Sequence, residues 1–209
     1  MSNPPIVMLP RLDLGHDLAQ GDLSRRTLFH RTGGVVLSAA AVALLGGVAL
    51  PAGSALAAPM QGDVDILNVA LGLEHEAIAA YQIGAESGLV KGKALEAAKL
   101  FQSHHKGHRD ALVGTIEKMG GKPVAPRTQA EVAKALNAGS LKTQEDVLRL
   151  AARLELGAAN AYLGVLPSFS EGALKPVAAR LAADETMHWT ALAGVLGLPL
   201  PATALSFGV

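Results

Sequence analysis

The feature that most constrains the fold of this chain is an internal repeat. A Leu-Glu pair followed by a tyrosine after six intervening residues occurs twice, 81 positions apart, as Leu73-Glu74…Tyr81 and Leu154-Glu155…Tyr162. A histidine that follows a His or Glu at a spacing of three also occurs twice, 80 positions apart, as His105-x-x-His108 and Glu185-x-x-His188. Two motifs repeated in the same order at nearly the same offset indicate duplicated halves. The chain is therefore expected to fold as two related units.

Composition indicates that both units are helical. Aromatic residues make up only 3% of the sequence, whereas strands prefer aromatic and β-branched side chains. Alanine and leucine are abundant and favour helices. With 209 residues and 50% hydrophobic residues, the chain is long enough for one globular domain with a substantial core. The sequence therefore predicts an all-α fold.

Four long helices are predicted from apolar residues that recur at spacings of three and four. They run from Asp63 to about Ser87, from Gly92 to Met119, from just after Thr143 to Leu166, and from Ala173–Pro176 to about Leu196. Thr143 and Asp146 form a capping-box pattern at the start of the third helix. Residues 120 to 142 form a long connection with room for a short helix at Gln129 to Asn137. The pattern predicts a four-helix bundle of two hairpins joined by a long crossover.

Charge and cysteine content exclude several functions. The formal net charge is zero, and residues 58 to 209 carry 14 Lys and Arg against 15 Asp and Glu. Such a balance predicts no nucleic-acid partner and no acidic excess that would draw iron into a mineral store. The chain has no cysteine, so disulfides, thiolate metal sites and cysteine nucleophiles are excluded. Any metal must be held by His, Asp and Glu.

Residues 1 to 57 are predicted to be a signal peptide. Arg25-Arg26 precedes an apolar run from Gly33 to about Leu50, and small residues around Ala57-Ala58 give an A-x-A cleavage pattern after Ala57. Residues 58 to 209 are then the mature domain. The paired arginines resemble a twin-arginine signal, although Leu28-Phe29 reverses the usual order of the apolar pair. An uncleaved membrane anchor is the alternative.

The twin-arginine resemblance implies the corresponding export machinery as a partner, since that pathway carries folded proteins. A metal could then be loaded before transport. It also implies a periplasmic or otherwise extracytoplasmic location, with membrane contact through the signal segment only.

Six residues form a candidate metal site, because each predicted hairpin offers one carboxylate and one pair of ligands spaced by three. Side chains at i and i+3 project from one face of a helix, so ligands from four helices can meet inside a bundle. The candidate ligands are Glu74, His105, His108, Glu155, Glu185 and His188. A buried network of Glu, His and Tyr without metal is the alternative.

Five further residues lie close to these ligands in the sequence or in the repeat. Tyr81 and Tyr162 either fill the core or donate hydrogen bonds to a ligand. His104, which aligns with Asp184 in the repeat, either supports a ligand or lies on the opposite edge of its helix. Helix geometry directs His75 and Glu76 away from Glu74, and we expect both to be solvated.

The candidate ligands resemble those of the ferritin-like superfamily of carboxylate-bridged dimetal proteins. In that pattern two helices each supply one Glu and two others each supply Glu-x-x-His. The resemblance covers roughly residues 62 to 197 and looks closest to bacterial ferritin-like domain proteins related to desiccation-associated proteins. It implies a ferritin-like bundle holding one or two metal ions, with iron expected and manganese or zinc as alternatives. An oligomer is compatible with it.

One position departs from the family pattern. His105 stands where the resemblance places a glutamate that bridges two ions. A neutral ligand makes the site less negative, which weakens binding of two Fe(II) or Mn(II) ions and shifts preference toward one ion, or toward zinc or copper.

The resemblance implies an exported metal-binding protein that oxidises Fe(II) with O2 or peroxide in stress protection. Metal buffering without turnover is one alternative. A non-enzymatic stress-protection or structural bundle with an inert site is the other.

Overall fold

The structure is a computed structural model that describes residues 62–208, so the predicted signal segment and its cleavage position lie outside the described residues. Over this range it contains five α-helices and two short 3-10 helices, and no strand. The helices are α1 (Asp63–Glu86), α2 (Gly92–Lys118), α3 (Gln129–Ala135), α4 (Gln144–Val165) and α5 (Leu174–Leu196). The all-α prediction is confirmed, and each long helix ends within two residues of its predicted limits. None of the described helices has an apolar stretch long enough to span a bilayer.

Local signals at the helix ends explain this agreement. The predicted capping box of Thr143 and Asp146 starts α4, because the Thr143 side chain accepts from the Asp146 N–H and the Asp146 side chain accepts from the Thr143 N–H. At the C-terminal ends of α2 and α5, Gly120 and Gly197 have positive φ of 76° and 63°. Glycine adopts this left-handed conformation without a steric penalty, so it ends a helix sharply.

The long helices pair as two hairpins. Helix α1 packs mainly against α2, α4 packs mainly against α5, and α3 in the crossover lies against α1. This is the predicted arrangement of two hairpins joined by a long connection. The third helix is short because its chain turns at Asn137, which adopts a left-handed φ of 51°.

Two apolar clusters fill the bundle, and the candidate ligands lie between them along every long helix. The first cluster includes Leu71, Ile116, Tyr162 and Leu181, and the second includes Tyr81, Phe101, Leu148 and Leu192. In α1, for example, Glu74 lies between Leu71 of the first cluster and Tyr81 of the second. Hydrophobic clusters therefore flank the polar layer on both sides along the bundle.

The prediction that His75 and Glu76 are solvated is wrong for Glu76, whereas His75 is half-buried. Glu76 is only 5% exposed and pairs with Arg127 of the crossover, while His75 Nε2 lies 3.2 Å from the carbonyl oxygen of Val124. Burial raises the pKa of Glu76 to about 7, against the opposing effect of Arg127. Helix geometry correctly directed both side chains away from Glu74, but the crossover covers the face of α1 onto which they point.

Candidate metal centre

The six predicted ligand residues converge in the middle of the bundle. Helices α1 and α4 each supply one glutamate, and α2 and α5 each supply a pair of residues spaced by three. All six are buried, and the most exposed, His108, is 8% exposed. A buried carboxylate or imidazole needs a compensating partner, so this layer is costly unless its polar atoms are satisfied.

These residues form two overlapping groups of four, each able to hold a metal ion. The groups are Glu74, His105, His108 and Glu185, and His105, Glu155, Glu185 and His188. Within each group one ligand atom from every residue lies within 4.8 Å of the others. Both groups share His105 and Glu185, and each adds one glutamate and one histidine of its own. The sequence repeat therefore corresponds to two adjacent and related candidate metal positions in the structure, one for each group.

His105 faces the two positions with different ring nitrogens. Its Nδ1 lies 2.8 Å from Glu74 Oε2, and its Nε2 lies 3.2 Å from Glu155 Oε1. Both distances are within hydrogen-bonding range. Burial alone would lower the pKa of His105, but hydrogen bonds with Glu155 and Glu74 raise it well above its ordinary value. In the metal-free centre a protonated His105 therefore ties the two halves together.

Two buried ligand-type atoms have no hydrogen-bond partner. They are His108 Nδ1 and Glu185 Oε1, which lie 3.1 Å apart. Buried polar atoms in proteins are nearly always paired, so unpaired ones call for an explanation. An imidazole nitrogen and a carboxylate oxygen that both face one small volume suit a divalent first-row metal ion. The residues present therefore fit a metal centre.

The two tyrosines of the repeat connect its halves. Tyr81 of α1 donates its hydroxyl hydrogen bond to Glu155 of α4, and Tyr162 of α4 donates to Glu74 of α1. Burial raises the pKa of both tyrosines well above the usual range, and the neighbouring glutamates raise it further. Both hydroxyls therefore remain protonated donors, and the role of supporting a ligand fits both positions.

A second pair of contacts supports the outer histidines. His108 and His188 each turn Nδ1 toward the glutamates and Nε2 toward a residue of the other hairpin. Nε2 of His108 lies 3.2 Å from Asp184 Oδ2, and Nε2 of His188 lies 2.9 Å from His104 Nδ1. His104 therefore lies beside a candidate ligand rather than on the far edge of α2. The two contacts differ in charge, because His108 contacts a carboxylate and His188 contacts an imidazole.

The protonation pattern of the metal-free centre balances its buried charges. Burial raises the pKa of Glu185. Burial would also raise the pKa of Glu74, but the nearby imidazoles of His105 and His108 lower it instead. Burial would lower the pKa of His108, whereas the nearby carboxylates of Glu185 and Glu74 raise it to about 10. The histidines thus hold protons that offset the glutamates.

One residue of the site was not predicted from the sequence. The ring of Phe101 stacks on His188 with centroids 4.2 Å apart, which fixes the orientation of that imidazole. Phe101 precedes His105 by four positions, so helical spacing alone places both on one face of α2. No residue pattern marked it as different from an ordinary core residue.

Comparison with known proteins gives a family and a fold. The ferritin-like domain family matches residues 62–198 of this sequence. Among curated proteins, none matches. The crystal structure of a conserved hypothetical protein from Mycobacterium tuberculosis is similar, with a TM-score of 0.54 and 22% sequence identity, over 66% of this chain and 93% of the other. At that identity the likeness shows a shared fold and nothing more.

Proposed function

This chain belongs to the ferritin-like domain family, and on that basis we propose that it is an iron-binding protein whose centre reacts with O2 or peroxide. The observation that carries the proposal is the pair of four-residue groups that share His105 and Glu185. The unpaired His108 Nδ1 and Glu185 Oε1 support it, because a metal ion would satisfy both atoms at once.

The ligand set favours a divalent ion of the first transition row. Three carboxylates and three imidazoles suit iron, manganese and zinc, and the absence of thiolates disfavours softer metals. His105 replaces an anionic bridge by a neutral ring, but each of its nitrogens faces a different position. Because a neutral imidazole has one unprotonated nitrogen, we propose that His105 would bind an ion at one position and donate its other N–H to the glutamate of the other position.

Iron in this centre would supply one-electron redox chemistry. The protein holds the ligands in place. Tyr81 and Tyr162 orient the two outer glutamates, while His104 and Asp184 orient the two outer histidines. Partners of this kind fix ligand orientation and typically change metal affinity about 10- to 100-fold. Fe(II) is the proposed substrate, and its controlled oxidation would limit oxidative damage outside the cytoplasm.

A metal-free role is the second candidate, and a specific contact favours it. Both ring nitrogens of His105 already lie within hydrogen-bonding distance of glutamates on opposite helices. A protonated His105 therefore stabilises the centre without any ion. In that case the protein acts as a stress-protection or structural bundle with an inert site.

Metal analysis and an oxygen pulse separate these functions. The full chain, purified from its native compartment, is assayed for metals and then loaded with Fe(II) without oxygen. We expect one or two ions per chain and an absorbance transient when O2 is added. Glu185→Gln should lose both, and the exposed control Glu96→Gln should keep both. Absence of stoichiometric metal overturns the proposal, and bound iron without a transient reduces the function to metal binding.

Export is tested separately. We propose that residues 1 to 57 direct the folded domain out of the cytoplasm through the twin-arginine pathway. The double substitution Arg25→Lys and Arg26→Lys should leave the chain in the cytoplasmic fraction, because lysine does not reproduce the planar hydrogen-bonding geometry of arginine. Arg11→Lys is the matched control. Unchanged export of the double variant, measured by cell fractionation and immunoblotting, contradicts the proposal.

A further inference from the structure

A cavity of about 420 Å³ lies beside the centre, between the two hairpins. Its wall is formed by all four long helices and by the part of the crossover that includes Leu136 and Leu141. Small side chains create the space, among them Ala77 and Ala80 of α1 and Ala158 of α4. Larger residues at these positions would close the gap, so the cavity is a direct consequence of an alanine-rich lining.

The cavity reaches the centre from one side. Tyr81, His105 and Glu155 form part of its wall. None of the other four candidate ligands lines it within the described residues. The cavity therefore adjoins the position that contains Glu155, and it touches the position that contains Glu74 only through the shared His105.

The other end of the cavity opens toward solvent. Lys91 and Lys93, which are exposed, lie in its wall together with Val195, whose exposure is 72%. Between this mouth and the centre the lining is almost entirely aliphatic, and the exceptions are Phe101, Gln144 and Glu76. The carboxylate of Glu76 is paired with Arg127. A molecule that enters from solvent thus meets an apolar passage with polar groups concentrated at its two ends.

We infer that this cavity binds an apolar organic molecule and holds one end of it beside His105 and Glu155. Its volume lies within the range of about 300–1,000 Å³ typical of small-molecule sites, which are mostly apolar with a few convergent polar groups. Apolar cavities also take up apolar molecules in preference to water.

The two parts of this inference depend differently on the metal. Occupation of the cavity rests on its shape and lining, and we expect it in the metal-free protein. The placement of one end of the ligand next to a reactive centre rests on the proposed function, because the centre is reactive only if His105 and Glu155 belong to a metal site.

Binding is measured first without metal. The full chain is treated with EDTA and titrated with the neutral fluorophore N-phenyl-1-naphthylamine, with decan-1-ol as competitor. We expect saturable binding at one site and displacement by decan-1-ol. Ala80→Leu should weaken binding at least about tenfold, which is about 1.4 kcal/mol. Ala183→Leu, an exposed alanine of α5 that does not line the cavity, should have no effect.

Ala158→Leu gives an independent test if the first variant does not fold, and circular dichroism reports folding of both. Absence of saturable binding overturns the inference. A cavity that is already filled by a second copy or by another stretch of the chain would give this result, and the inference is then wrong as well. Binding that is unchanged in a folded cavity variant overturns it as well.

A second measurement places the ligand relative to the centre. In the Co(II)-loaded protein, saturating decan-1-ol should change the visible d–d absorption, since two ligand residues form part of the cavity wall. An unchanged spectrum in a protein that binds decan-1-ol overturns the placement beside the centre. Failure to bind Co(II) counts against the proposed function instead, and the metal-free titration still decides whether the cavity is a binding site.

Discussion

At the scale of single residues, the centre depends on His105. A glutamate at this position would contribute one negative charge and two oxygen atoms to both positions. The imidazole contributes no charge when neutral, and a positive charge when its two nitrogens contact Glu74 and Glu155 as donors. The same residue therefore stabilises the metal-free protein and reduces the attraction of the centre for cations.

His105→Glu should strengthen iron binding. The substitution restores an anionic ligand that both positions share, so Fe(II) affinity should rise about tenfold or more, equivalent to at least about 1.4 kcal/mol. Occupancy should approach two ions per chain. Anaerobic Fe(II) titration with metal analysis measures both quantities. His105→Gln, which has a similar size and no charge, is the control, and equal occupancy in the two variants contradicts the assignment of this position.

Metal binding should release protons and strengthen as the pH rises. The pKa of His108 is raised to about 10 and that of His105 lies well above its ordinary value, so both are protonated at pH 7 without metal. A metal ion needs the free nitrogen, and each displaced proton makes the logarithm of the affinity increase by up to about one per pH unit.

Calorimetry in two buffers of different ionisation enthalpy counts these protons. Zn(II) is titrated into the EDTA-treated and dialysed protein in Pipes and in Tris. The difference between the two apparent binding enthalpies, divided by the difference between the buffer ionisation enthalpies, should correspond to release of at least one proton per ion. His108→Gln should reduce the count. Identical enthalpies in both buffers show that the histidines are neutral before the metal binds.

At the scale of helices, the sequence predicted best the features that depend on residues close together in the chain, such as helix limits. The limits of α2 and α4 follow from Gly120 and from the Thr143–Asp146 capping box, and both signals lie within a few residues of the helix ends. The burial of Glu76 was missed because it depends on the crossover, about fifty positions away, which has no periodic pattern. The cavity was missed for a similar reason, since an alanine that packs and one that lines a gap look alike in sequence.

The crossover should be held to α1 by the pair of Arg127 and Glu76. Arg127→Ala leaves a carboxylate that is 5% exposed without its partner, and the free energy of unfolding should fall by about 1–3 kcal/mol. Arg149→Ala is the matched control, because it removes an exposed pair with Glu145 one helical turn away and should cost about 0.3–0.5 kcal/mol. Urea unfolding measures both. Equal losses in the two variants show that the buried pair has no special role.

At the scale of the whole molecule, the duplication explains why a single bundle contains two positions. Each half supplies an outer glutamate, an outer histidine and one shared residue, so the number of candidate ligands follows from the repeat in the sequence. The exchange of tyrosine contacts between the halves did not follow from it. A repeat shows which residues correspond, whereas the contact of Tyr81 with Glu155 depends on how the two hairpins pack.

The exchanged tyrosines should act on opposite positions. Tyr81→Phe removes the donor to Glu155, and Tyr162→Phe removes the donor to Glu74. Each variant should weaken one of two metal-binding steps by about tenfold, and the double variant should weaken both, since the contacts are separate. Anaerobic Co(II) titration followed by visible absorption resolves the steps. Only Tyr81 borders the cavity, so decan-1-ol should change the spectrum of the Tyr162→Phe protein as it does that of the unmodified chain. If both variants weaken the same step, the tyrosines do not support separate positions and the two groups act as one site.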